Sequence, residues 1–208
     1  TLAPCAASTA ATQSVNTIPR TDEQIRILTL ARLHPRKGQL DTAQALSLLP
    51  AELRRKIVYQ VGGAGDSHYL RQIGNTCRSA AIEFHYLGEI APTALAATYA
   101  QCDLYAMTSR TLPNSVEGFG ITYLEAGCHG KPVIGYRSGG AAEAVRDGET
   151  GLLATEGDLP GLATAFTRLI TDPQLREKFG AANRQWSAKF NWSTTTRVLA
   201  DISDEHSV

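Results

Sequence analysis

Short apolar runs alternate with helical stretches from Ile25 to about Thr155, and this rhythm limits the chain to very few folds. Strand-like runs fall at residues 25–31, 56–61, 82–87, 104–108, 132–136 and 151–155. Helical patterns fall between them, at 38–49, 67–79, 92–101, 118–128 and, briefly, 143–146. Strands that alternate with helices pair in parallel, because only a crossover connection can return the chain to the same edge. The expected class is therefore α/β, a doubly wound parallel sheet of Rossmann-like form. Ligands of such sheets sit beyond the carboxyl ends of the strands, in the loops that open the following helices.

Those loops carry the candidate chemistry. The first is Ala31-Arg32-Leu33-His34-Pro35-Arg36-Lys37-Gly38, with a helix opening at or just after Gly38. Cations beside free helix amides form an anion site, and Arg32 and Lys37 are the best phosphate ligands here. The plain alternative is a solvated basic loop. The second is Val61-Gly62-Gly63-Ala64-Gly65-Asp66, which fails the dinucleotide fingerprint because His68 stands where a third glycine is needed. Gly62 and Gly63 either approach a ligand or make a tight turn.

The fourth strand run leads into Glu117-Gly118-Phe119-Gly120-Ile121-Thr122-Tyr123-Leu124-Glu125. Read as a helix start at Gly118, this places two carboxylates about 12 Å apart along the axis and about 80° apart around it, so both can border one cleft. A carboxylate can accept two hydrogen bonds from the cis diol of a ribose. Helix capping is the simpler role for Glu117. Ser138-Gly139-Gly140-Ala141-Ala142-Glu143 opens the next helix and either lines the same crevice or turns the chain.

Composition excludes several other classes. Twenty basic and twenty acidic residues cancel among 208, so no global field favours nucleic acid or an anionic membrane. No apolar run reaches the roughly 18 to 20 residues of a membrane span. Cys5, Cys77, Cys102 and Cys128 show no C-x-x-C spacing and are expected as reduced thiols, and the histidines have no recognised metal spacing. No metal or cofactor is expected. The apolar residues of 158–170, 173–189 and 192–204 recur at helical spacing, so Phe166, Phe179, Trp186 and Phe190 are expected as packing.

Taken together, these loops resemble the donor-binding C-terminal domain of retaining glycosyltransferases of the GT-B fold, family 4 in particular. The match runs from about Ile25 to about Arg168 and lies in several ordered motifs. The resemblance implies that Arg32 and Lys37 hold the donor diphosphate and that Glu117 and Glu125 form the family's E-x7-E pair. It further implies that Glu117, with the backbone of Gly118, Phe119, Gly120 and Ile121, faces the donor sugar, while Glu125 holds the ribose. Leu87-Gly88-Glu89 corresponds to the segment that lies against the base. Glu117, Arg32 and Lys37 are thus the expected catalytic residues, with Gly62, Gly63, Leu87 and Gly88 among the expected binding residues.

Two departures stand out. Ala31 replaces a usual glycine, and the connection through Arg110-Thr111-Leu112-Pro113-Asn114-Ser115-Val116 is longer than usual. The substrate implied is a nucleotide diphosphate sugar, and the partner implied is an N-terminal acceptor-binding domain preceding Thr1. The expected organisation is a linker over 1–20, the nucleotide-sugar domain over 21–190 and a helix with a tail over 191–208. Alone, the fragment is expected to bind nucleotide without catalysing transfer. The expected location is cytoplasmic, either free or peripheral to a membrane in the full-length protein. The competing readings are an epimerase of the same fold and a non-catalytic nucleotide-binding scaffold.

Overall fold

The computed structural model describes residues 21, 23–113 and 118–190. The expected linker over 1–20 and the helix over 192–204 lie outside these residues. Six parallel strands form one sheet: β1 (Ile25–Leu30), β2 (Ile57–Gly62), β3 (Glu83–Gly88), β4 (Leu104–Met107), β5 (Val133–Tyr136) and β6 (Gly151–Ala154). Their order is β3-β2-β1-β4-β5-β6. The chain starts in the middle, winds outward to β3, then crosses back to lay β4 beside β1. The strand order reverses at that seam, and the loops after β1 and β4 leave it in opposite directions.

Every residue of β1, β2, β4 and β5 is buried, as expected of parallel strands covered on both faces. The edge strand β3 is only partly covered. One face carries α1 (Gln39–Ser47), α2 (Ala51–Arg54), α3 (Ser67–Ser79) and α7 (Leu159–Thr171), whose Leu46, Ile73 and Phe166 are fully buried against Ile57 and Tyr59. The other carries α4 (Leu95–Gln101), α5 (Ile121–Cys128) and α6 (Ala141–Ala144), packed through Tyr99, Tyr105, Tyr123 and Leu124. The last helix among the described residues, α8 (Pro173–Ser187), places Phe179 in the first core and lays Trp186 against the second.

Gly127 lets α8 approach α5 closely, since a Cβ there would strike Ser187 Oγ and the Asn183 side chain. Asn183 in turn donates its amide to the Lys131 carbonyl at 2.8 Å. Trp186 and Phe190, expected as packing, pack against each other at 4.9 Å between ring centroids.

Most strand ends shift by a residue from the sequence reading, α1 is shorter than the expected 38–49 and is followed by the unexpected α2, and three helix starts differ in ways that matter for the site. The expected helix at 92–101 opens as a 3-10 turn over Pro92–Ala94 before α4 begins, and α6 lies two residues before the expected position. α5 begins at Ile121, not at Gly118, because Gly120 adopts a left-handed conformation, φ 77°, that a helix cannot contain. The axial spacing expected for Glu117 and Glu125 therefore does not apply. Among the described cysteines, Cys77 and Cys102 are free and buried, in line with the expectation of reduced thiols for these two.

Candidate active site

The loop after β1 is held from below by buried polar groups. Gln39, fully buried, donates from Nε2 to the Arg32 carbonyl at 2.9 Å and fixes the backbone from which that guanidinium projects. Arg32 itself is exposed, and Lys37 is half-buried at the end of the 3-10 turn Pro35–Lys37. His34 caps that turn by accepting the Arg36 amide on Nδ1 at 3.1 Å. Gly38 then turns left-handed at φ 71° and opens α1 with no side-chain cap.

The loops after β1 and β4 are packed side by side. A Cβ on Gly38 would strike the Thr108 carbonyl, and the Thr108 hydroxyl donates to the Gly38 carbonyl at 2.6 Å. Arg110 N donates to the Arg36 carbonyl at 2.7 Å, and its Nε meets the buried Asp41 carboxylate at 2.6 Å. That hydrogen bond, above all, raises the Arg110 pKa. Thr111 N is held by Glu156 Oε1 at 2.8 Å. The long connection is thus tied to α1 and to the loop after β6 before it reaches residues 114–117, which lie outside the described part. Glu117 is among them.

The chain resumes at Gly118, which is exposed, and Phe119, which is half-buried against Phe190 at 5.5 Å between ring centroids. Trp186 stands behind Phe190, donating Nε1 to the Ala144 carbonyl at 2.9 Å, with the Arg146 guanidinium 4.1 Å from the centre of its ring. A Cβ on Gly140 would strike the Gly118 carbonyl, so the glycines after β5 support this segment by close contact. Among the described residues no side chain caps the first amides of α5. Ile121, on its first turn, is 45% exposed, an unusual position for an isoleucine within a packed edge.

Glu125 is half-buried on the α4 side of α5, where its Oε2 accepts a 2.8 Å hydrogen bond from the Tyr99 hydroxyl. Burial pushes the Tyr99 phenol well up, and the neighbouring Tyr105 and Glu125 push the same way. His129 stacks on the Tyr99 ring, 5.6 Å between centroids and 9° from parallel. Burial, then Lys131 and Arg184, lower the pKa of His129. Tyr99 is the residue that sequence reading missed, since nothing local to α4 marks it as a partner of α5.

The structure brings Arg32, Lys37, Gly118, Phe119, Gly120 and Ile121 to one edge of the sheet, with Glu125 just inside it. Leu87 packs against the core beneath that edge, and Gly88 turns left-handed at φ 70° with open space where a Cβ would stand. Gly62 and Gly63 have an architectural reason to be glycine. A Cβ on Gly62 would lie 2.6 Å from Leu30 Cδ2, and one on Gly63 would strike the Ala31 carbonyl. Among the described residues no cluster of His, Cys, Asp and Glu could hold a metal ion, and no helix is long and apolar enough to cross a membrane.

The chain matches the family glycosyl transferases group 1 over residues 12–186. It is 35% identical over 186 residues to the GDP-mannose-dependent alpha-(1-6)-phosphatidylinositol monomannoside mannosyltransferase of Mycobacterium tuberculosis, covering 88% of this chain and 48% of that protein. It therefore spans about half the length of such curated relatives. Anabaena HepE, solved in complex with UDP and glucose, superposes with a TM-score of 0.75 at 26% identity, over 88% of this chain and 49% of HepE. The C-terminal domain of the group 1 family protein LpcC from Francisella tularensis shares the fold, with a TM-score of 0.70 at 21% identity, over 80% of this chain and 85% of that domain.

Proposed function

The chain belongs to the glycosyl transferases group 1 family, with the α/β architecture of a GT-B C-terminal half, and we propose that it is the donor-binding domain of a retaining glycosyltransferase. The donor is a nucleoside diphosphate sugar, and the sugar passes to an acceptor with its anomeric configuration kept. The observation that carries this reading is the seam between β1 and β4. There the basic loop after β1 packs against the start of the loop after β4 through Gly38 and Thr108, and the second loop leads into α5, which carries Glu125.

In this reading Arg32 and Lys37 stabilise the diphosphate as negative charge develops on the leaving group. The amides at the starts of α1 and α5 add the positive end of a helix dipole to the same region. Glu125 accepts from the ribose diol. Glu117 and the backbone from Gly118 to Ile121 face the sugar, a role that follows from the family motif. Leu87 and Gly88 lie against the base. An acceptor-binding domain, corresponding to the half of the relatives that this chain does not span, supplies the opposite wall of the cleft, and residues 1–20 link the two.

The mannosyltransferase named above makes GDP-mannose the first donor to test, and HepE makes UDP-glucose the second. Calorimetry of the chain against GDP, UDP and ADP, with and without the attached sugar, is expected to show binding to at least one. No binding at millimolar ligand would overturn the assignment. Glu125→Ala is expected to weaken every ribonucleotide by about tenfold or more, the value of one charge-assisted hydrogen bond. Glu117→Ala should instead remove the gain that the sugar provides. Equal losses of free nucleotide from both substitutions would contradict this division of roles.

A further inference from the structure

The carboxylate assigned to the ribose is not held by α5 alone. Tyr99 reaches across from α4 and donates its hydroxyl to Glu125 Oε2 at 2.8 Å. The phenol is fixed in place, with Tyr99 2% exposed and its ring against Tyr105, at 5.7 Å between centroids, and His129, at 5.6 Å. A phenylalanine would fill that slot equally well. The hydroxyl is the only polar atom of a deeply buried side chain, and the single side chain it meets among the described residues is Glu125.

An ionised carboxylate can only accept, so the phenol must be the donor. A phenol keeps its proton at neutral pH in any case, and burial raises the pKa of Tyr99 further. A glutamate has a long flexible stem, and a carboxylate free to rotate presents its oxygens to a ligand in many orientations. Once Oε2 is pinned, the plane of the carboxylate and the direction of Oε1 are set as well. Binding is strengthened when such ordering is complete before the ligand arrives.

We propose that Tyr99 is a positioning residue for ribose recognition: by holding Oε2 of Glu125, it presents Oε1 to the 2′ and 3′ hydroxyls and makes the site distinguish ribose from its deoxy forms. The proposal rests on the donor-domain reading above. It adds to the family motif a residue from a different helix, with a role that involves no contact with the ligand.

The test is a calorimetric cycle with GDP and 2′,3′-dideoxy-GDP, and with the corresponding UDP pair, on the wild type, Tyr99→Phe, Glu125→Gln and the double variant, with thermal unfolding recorded for each. The wild type is expected to prefer the ribose form by about tenfold or more, and Tyr99→Phe to lose about three- to tenfold for the ribose form alone. In the Glu125→Gln background, Tyr99→Phe should change the ribose preference little.

Equal weakening of both nucleotides by Tyr99→Phe, or no weakening of either, would overturn the positioning role. So would a Tyr99→Phe chain that fails to fold, because the hydroxyl would then serve the fold. A wild type that binds nucleotide without preferring ribose would overturn the assignment of Glu125 and this proposal with it. A wild type that binds neither nucleotide would reject the donor-domain reading itself.

Discussion

Two glycine-rich loops open helices at the same edge of the sheet, and the protein treats them in opposite ways. The loop after β2, Gly62-Gly63-Ala64-Gly65, is filled by its own fold. Added Cβ atoms would strike Leu30, Ala31 and Leu33, and Asp66 takes the first amides of α3, with Oδ1 2.7 Å from His68 N and 3.4 Å from Tyr69 N. The described end of the loop after β4 is less filled at Gly118, although a Cβ on Gly120 would meet the Tyr123 ring. Among the described residues, nothing lies within 4 Å of a Cβ added to Gly118, and no side chain caps α5. Glycine content alone therefore does not mark a binding loop. The distinction lies in whether the surrounding protein already occupies the space and satisfies the amides.

The largest test of that contrast is Gly63→Ala. The residue sits at φ 130°, where side chains are rarely found, and its Cβ would meet the Ala31 carbonyl. Backbone strain and overpacking together should cost about 3 kcal/mol or more in unfolding free energy, measured by denaturant titration. A loss below about 1 kcal/mol would show that the loop can relax and would remove the architectural reason for its glycines.

Gly118→Ala is the converse. No described residue lies within 4 Å of its added Cβ, so stability should change by less than about 0.5 kcal/mol. Binding of a nucleotide sugar should nonetheless fall by about tenfold if the Gly118 backbone lies against the donor, since a Cβ would stand where the ligand must approach. Asp66→Ala should do the reverse, costing about 1 kcal/mol of stability for the lost cap and leaving nucleotide affinity unchanged. If the Asp66 substitution weakened binding and the Gly118 substitution did not, the two loops would have been assigned the wrong way round.

Much of this was legible in the sequence because the central strands are covered on both faces and read as continuous apolar runs, Ile57-Val58-Tyr59 among them. The basic residues after β1 and the acid at 125 were legible because they stand at fixed places in a β-α rhythm. What could not be read was set by tertiary packing. The three-residue error at the start of α5 arose because Gly118 and Gly120 fit a helix opening and a left-handed turn equally well. That Gly62 and Gly63 leave no room for a side chain could not be read, because the neighbours that exclude it, Leu30 and Ala31, lie at and just after the end of another strand. Tyr99 precedes Glu125 by 26 residues, and only the packing of α4 beside α5 joins them.

The smallest effect concerns the helix that the loop after β4 opens. His129 ends α5 and stacks on Tyr99, and burial lowers its pKa, with Lys131 and Arg184 acting in the same direction. Its folded value therefore lies below the unfolded value of about 6.5. Well above that pH both states leave the imidazole neutral, and His129 contributes nothing to the pH dependence. As pH falls through about 6.5, the unfolded chain takes up a proton that the folded chain resists, so stability declines until the folded pKa is passed. The fall in Tm between about pH 7.5 and about pH 5 should accordingly be smaller in His129→Gln than in the wild type. Parallel curves would mean that the histidine is not held neutral by its surroundings. A reduced slope would show instead that the imidazole stacked on Tyr99, at the end of the helix that carries Glu125, is held neutral by its burial and by Lys131 and Arg184.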